Sequence, residues 1–131
     1  RSPLFAGGGV THGPRKERIF EKKVNKKMKR AALFSIISKK LSDSELKLVD
    51  GFKLEDHKTK KIAIMLQKFF KEPTGVLLIP EKNNRNVFLA GRNIRRVKAL
   101  SPESLNIYDF LAHEQVLLEK SAVEQLISHL K

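Results

Sequence analysis

Hydrophobic residues enter helical register at Val24 and hold it to about Leu41. Val24, Met28, Ala31 and Ala32 take the i, i+4, i+7 and i+8 positions of one face. The opposite arc of the first half carries Lys22, Lys23, Lys26, Lys27, Lys29 and Arg30, while Leu33, Phe34, Ile36 and Ile37 make the second half apolar nearly all round. The pattern predicts a helix with one basic end and one buried end. Ser42-Asp43-Ser44 interrupts it, and Leu46-Lys47-Leu48-Val49-Asp50 reads as a short strand. From Thr59 to Phe70, Ile62, Met65, Leu66 and Phe69 mark a second, strongly amphipathic helix that Pro73 and Gly75 end. Gly75 to Ile79 is a short apolar run bounded by Pro80, the signature of a strand buried on both faces.

The remaining elements are shorter. A helix is predicted over Asn84 to Arg92, a strand over Val97 to Leu100, a helix start capped by Asn106, a strand over Val116 to Leu118, and a closing helix over Ala122 to Leu130. That last helix has Val123, Leu126, Ile127 and Leu130 on one face. Alternation of strands and helices with short connections implies an α/β fold: a mostly parallel, roughly four-stranded, Rossmann-like sheet with covering helices. Residues 1–22 behave differently. Pro3, Gly7 to Gly9, Gly13 and Pro14 are spaced so that neither helix nor strand runs between them. The expected organisation is an extended arm over 1–22 and a globular domain over 23–131. No internal repeat is present.

Charge changes this picture most. The 131 residues include 27 Lys+Arg and 14 Asp+Glu, a net +13. Residues 1–40 hold 12 of the basic residues and two acids, so +10 of the charge sits in the first third and +3 in the rest. A surface of this kind attracts polyanions by counterion release. Absence of cysteine excludes disulfides and thiolate metal sites. No apolar run approaches the roughly 18 residues of a membrane span, no signal-peptide pattern is present, and the first residue is not Met. The expectation is a processed or incomplete chain.

Three kinds of candidate chemistry arise. The glycines at 7, 8, 9 and 13 lack the preceding strand and following apolar helix of a dinucleotide loop, so their context favours close backbone approach over a nucleotide cradle. His12, His57, His113 and His129 are too scattered for a metal site, and no Ser/His/Asp or paired-carboxylate arrangement appears, so neither catalytic nor metal-binding residues are expected, nor a cofactor. His12, inside the basic arm, is placed to bond phosphate or base edges; the other three read as surface or boundary residues. The cluster Arg15, Lys16, Arg18, Lys22, Lys23, Lys26, Lys27, Lys29 and Arg30 is the strongest signal. No acid follows Glu21 before Asp43 to form the i, i+4 pairs of an ordinary solvated face. It points to nucleic acid, and without interleaved aromatics it points to phosphate and shape rather than to base stacking along a single strand. Arg92, Arg95, Arg96 and Lys98 form a smaller cluster that reads equally as a second anchor or a polar loop.

The sequence also resembles a known family. R-S-P followed by G-G-G-V and H-G-P, the run K-K-V-N-K-K-M-K-R-A-A-L, K-T-K, N-V-F-L-A-G-R-N and L-N-I-Y-D-F-L resemble, in order and over essentially the whole chain, the bacterial-type ribosomal proteins of the L-four family. The resemblance implies an α/β domain bearing a long internal loop. It also implies binding to large-subunit ribosomal RNA beside neighbouring ribosomal proteins, support for assembly and for the peptide exit tunnel, and messenger-RNA autoregulation in some members. It implies no catalysis, no membrane and no small-molecule substrate, and a place in a cytoplasmic ribosome, with an organellar one left open. By position, Arg1, Ser2, Gly7, Gly8, Gly9, His12, Gly13, Arg15, Lys16 and Arg18 of the arm and Lys22, Lys23, Asn25, Lys26, Lys27, Lys29 and Arg30 of the helix should touch RNA, with Arg92 and Asn93 as a weaker pair. The family places a strand, a helix and an outgoing loop arm before the position of Arg1, so a sheet lacking one partner strand is expected. Glu119 stands where the family pattern leads one to expect a Thr cap. The alternatives from the residues alone are a small nucleotide-binding α/β enzyme and a free-standing, nonspecific DNA-binding protein.

Overall fold

A computed structural model describes residues 1–54, 56–70 and 75–130. Nothing before Lys26 belongs to a helix or strand. The elements then run α1 (Lys26–Ser42), β1 (Leu46–Val49), α2 (Thr59–Phe69), β2 (Val76–Ile79), α3 (Arg85–Gly91), β3 (Val97–Ala99), a 3-10 turn (Pro102–Ser104), α4 (Ile107–Ala112), β4 (Gln115–Glu119) and α5 (Lys120–Leu130). The strands form one sheet in the order β1-β4-β2-β3, with every pairing parallel. Leu46, Val116, Leu77 and Lys98 stand side by side across it.

Strand alternation sorts the core into two layers. Leu77 and Ile79 of β2 and Val116 and Leu118 of β4 pack with Leu33 of α1, Phe110 of α4 and Ala122 and Leu126 of α5. Val76, Leu78 and Leu117 point the other way, against Ile62 and Leu66 of α2 and Val87 and Ala90 of α3. Helices therefore cover both faces, which is why all four residues of β2 are buried and why GVLLI reads as a continuous apolar run. β1 and β3 are the edges, and Leu48 on β1 is exposed.

Local chemistry explains most boundaries. α1 ends in a Schellman arrangement: Glu45 N–H donates to the Lys40 carbonyl and Ser44 N–H to the Leu41 carbonyl, with Ser44 at φ 59° where glycine is usual. Asn106 Oδ1 accepts the Asp109 N–H at 2.8 Å, the cap its sequence position predicts. α2 stops at Phe69, and Phe70 is already extended; Pro73, the expected stop, lies outside the described residues. The side chain of Leu130 likewise lies outside them, and Ile127, expected inward with it, is 53% exposed.

Two buried charges tie layers together. Lys40 Nζ donates to Glu45 Oε2 at 2.6 Å and to the carbonyls of His113 and Glu114, binding the end of α1 to the α4–β4 connection. Glu119, in place of the expected Thr cap, is buried at the end of β4. Its carboxylate accepts the Glu81 N–H at 2.7 Å and the Phe52 N–H at 3.4 Å, joining the loops after β1 and β2, and α5 follows without a break.

One expectation is corrected. The stripe Val24, Met28, Ala31 and Ala32 is exposed, and so is Phe34, half uncovered; the inward side of α1 is Leu33, Ile36, Ile37 and Lys40. The larger side chains of the second half fix the rotation of the helix, because Leu and Ile bury more apolar area than Ala. Lys26, Lys29, Arg30 and Leu33 follow the i, i+3, i+4, i+7 spacing of that same stripe. The cations thus continue the core-facing side past the edge of the core rather than lying opposite it.

Candidate nucleic-acid interface

The chain before α1 folds back on itself at its start. Phe5 N–H donates to the Ser2 carbonyl, Gly8 N–H to the Phe5 carbonyl at 2.8 Å and Gly9 N–H to the Arg1 carbonyl at 3.2 Å. Gly7 adopts φ 71°, and a Cβ on Gly8 would overlap the Ser2 carbonyl oxygen. The close approach that these glycines permit is to the chain's own backbone. Their amides at 8 and 9 are committed within the turn, and Gly13 has open space around it.

Arg1, His12, Arg15, Lys16, Arg18, Lys22, Lys23, Lys26, Lys27, Lys29 and Arg30 are all exposed, as are Ser2 and Asn25. Among the described residues every ion pair lies at Lys39 or beyond: Lys39, Lys40, Lys58, Lys61, Lys82 and Lys98 meet Asp or Glu, and none of the ten Lys and Arg from Arg1 to Arg30 does. Arg18 lies over the Phe20 ring at 5.2 Å, which leaves its charge uncompensated by any anion. Lys26 and Lys27 also open α1, whose first turn contains no acid and whose Asn25 makes no side-chain cap. Positive charge at the positive end of a helix dipole is unfavourable by about 0.3–1 kcal/mol per charge. An anion seated there relieves both this and the mutual repulsion of the lysines.

The smaller cluster divides. Lys98 is paired with buried Asp109 at 2.6 Å and is not available as an anchor. Arg92 and Asn93 are exposed, but they follow α3, on the layer of α2, whereas the basic half of α1 belongs to the layer of α4 and α5. The structure does not bring these two groups together. It does bring His129 to the rim of a hollow beside Lys26, Lys29 and Arg30, a neighbourhood that no local sequence signal marks.

Open α/β sheets bind nucleotides outside the carboxyl ends of their strands. Here that end holds the buried Glu119 carboxylate, which already takes the loop amides that a phosphate would need. Among the described residues no group of three or more His, Asp or Glu could hold a metal ion, and no helix is long and apolar enough to cross a membrane.

Comparison with known proteins finds relatives over nearly the whole chain. The large ribosomal subunit protein uL4 of Lachnospira eligens is 41% identical over 126 residues, covering 96% of this chain and 60% of the relative. The protein of the same name from Halothermothrix orenii is 38% identical over the same shares, and that of Thermoanaerobacter sp. strain X514 is 41% identical over 94% of this chain and 58% of its own length. The chain thus spans about 60% of the length of the curated relatives it matches. Residues 1–129 match the family described as Ribosomal protein L4/L1 family, and the chain belongs to that family.

Proposed function

We propose that this chain is a structural, non-catalytic constituent of the large ribosomal subunit that binds ribosomal RNA through its amino-terminal arm and the basic half of α1. The observation that carries the reading is the run of ten cations from Arg1 to Arg30 with no acidic partner among the described residues. Its support is membership of a family whose relatives are named large ribosomal subunit proteins. In this reading the arm reaches toward the peptide exit tunnel and stabilises assembly, the α/β domain rests on RNA and on neighbouring ribosomal proteins, and a structured messenger RNA offering the same phosphate pattern binds the same surface in autoregulation. The buried Glu119 carboxylate argues against a nucleotide-binding enzyme, because it sets negative charge and occupied amides where phosphate would sit.

Replacing Lys26, Lys27 and Arg30 together with Glu tests the face. Affinity for large-subunit ribosomal RNA should fall by about a hundredfold or more at moderate salt, with the thermal unfolding midpoint little changed because all three residues are exposed. Unchanged affinity would remove this face from the interface. Equal wild-type affinity for duplex DNA and folded ribosomal RNA would favour the DNA-binding alternative.

A further inference from the structure

Between the basic half of α1, the 3-10 turn and α5 lies a hollow of about 270 Å³. Its floor is apolar: Leu33, Pro102, Leu105 and Leu126, all buried and, apart from Pro102, members of one core cluster. Its rim is Lys26, Lys29, Arg30 and His129, and among the described residues no carboxylate lines it. We propose that this hollow receives one unstacked nucleobase of the bound RNA, with the phosphates on either side of that nucleotide held by Lys26, Lys29 and Arg30. The proposal rests on the RNA-binding reading above and adds to it a base-binding pocket.

Four observations favour this occupant. The volume lies just below the roughly 300–1,000 Å³ of sites for drug-sized ligands, which suits one base with its sugar and not a stacked pair. Arg30 and His129 both present planar groups at the rim, and guanidinium and imidazole planes are among the groups on which splayed RNA bases stack. The apolar floor gains from covering by a ring face, whereas an inorganic anion or a lone carboxylate would leave it wet or would itself lose hydration there. Finally, the three cations lie at i, i+3 and i+4 on one stripe of α1, directly above Leu33. Their long stems can lie over apolar surface while their heads remain at phosphate height. A nucleotide carries an aromatic face and a phosphate anion joined through a single sugar, which matches an apolar floor with cations at its rim, and the unpaired run from Arg15 leads RNA backbone toward that rim.

The test uses the full chain and a transcript of large-subunit ribosomal RNA, with affinity measured over a salt series and base edges probed chemically. His129→Ala, at an exposed position, should weaken binding roughly fivefold or more, as loss of one base–aromatic stack does. It should leave the slope of log affinity against log salt unchanged and expose one nucleotide to the base probe. Lys22→Gln, which removes a charge outside the hollow, should lower the slope by about one and leave that nucleotide protected. If His129→Ala binds and protects like the wild type while the triple Glu variant loses binding, the pocket is overturned and the RNA interface stands. If neither variant changes binding, both fall. If a short Glu-rich peptide ending in Leu shifts the methyl resonances of Leu105 and Leu126 and the transcript does not, the hollow is a protein-docking site and the proposal is wrong.

Discussion

The cations before residue 31 and those from residue 39 onward differ in that only the later region holds any in ion pairs. In the later region six lysines find acids: Lys39 with Asp43, Lys58 and Lys61 with Asp56, Lys82 with Glu103, Lys98 with Asp109 and Lys40 with Glu45. Lys47, Lys53, Lys60, Lys68, Arg85, Arg92, Arg95, Arg96 and Lys120 form no ion pair among the described residues. In the earlier region ten cations share two acids, Glu17 and Glu21, and neither forms an ion pair with them among the described residues. Exposed ion pairs are worth only about 0–1 kcal/mol, so pairing does not make the domain stable to any great extent. What the contrast decides is availability: a paired lysine must give up its partner before it neutralises a phosphate, and an unpaired one need not. Six lysines are committed to the fold through ion pairs, and the ten cations before residue 31 are committed to none among the described residues.

Lys40 is the sharpest probe of that division, since it is a cation on α1 that serves the fold. Lys40→Met should destabilise the chain by about 2 kcal/mol, measured by urea unfolding, because it removes the partner of Glu45 and of two part-buried carbonyls. Ribosomal RNA affinity of the folded fraction should hold within about twofold, the error expected for a site without phosphate contact. A large loss of RNA affinity without loss of stability would break the comparison. A smaller effect is expected at the other extreme of the chain. Gly8→Ala collides with the Ser2 carbonyl and should open the first turn, yet leave the unfolding midpoint of the domain within about 0.5 kcal/mol, since the arm carries no core residue. Faster proteolysis within residues 1–9 with an unaltered domain is the expected readout. A cooperative loss of the whole fold would show that the arm is part of the core.

Much of the fold was legible because its signals are local. A buried parallel strand between breakers at 75–80, an amphipathic period at 59–70 and an Asn cap at 106 each depend on residues near one another in the sequence. The rotation of α1 was not legible in the same way. Val24, Met28, Ala31 and Ala32 form a valid helical stripe, but a competing stripe through Leu33, Ile36 and Ile37 buries more area, and only tertiary contact chooses between them. That choice has consequences for the candidate site: it turns Lys26, Lys29 and Arg30 toward the domain edge, where His129, about a hundred residues later, meets them. No periodicity signals a neighbour at that separation. The glycine run was legible as a place of close approach but not as to what is approached, because the absence of a Cβ is equally useful against RNA and against the Ser2 carbonyl.

The most direct measurement is the salt dependence of ribosomal RNA binding in two matched variants. One replaces five unpaired cations, Lys22, Lys23, Lys26, Lys27 and Arg30, with Gln; the other replaces five paired ones, Lys39, Lys58, Lys61, Lys82 and Lys98, so that each loses the same formal charge. If the unpaired set supplies the phosphate contacts, its removal should reduce the slope of log affinity against log salt by about 4.5, at roughly 0.9 per contact, while removal of the paired set leaves the slope within about one of the wild type. Equal losses of slope in the two variants would contradict the account, since binding would then follow total charge and not the unpaired face.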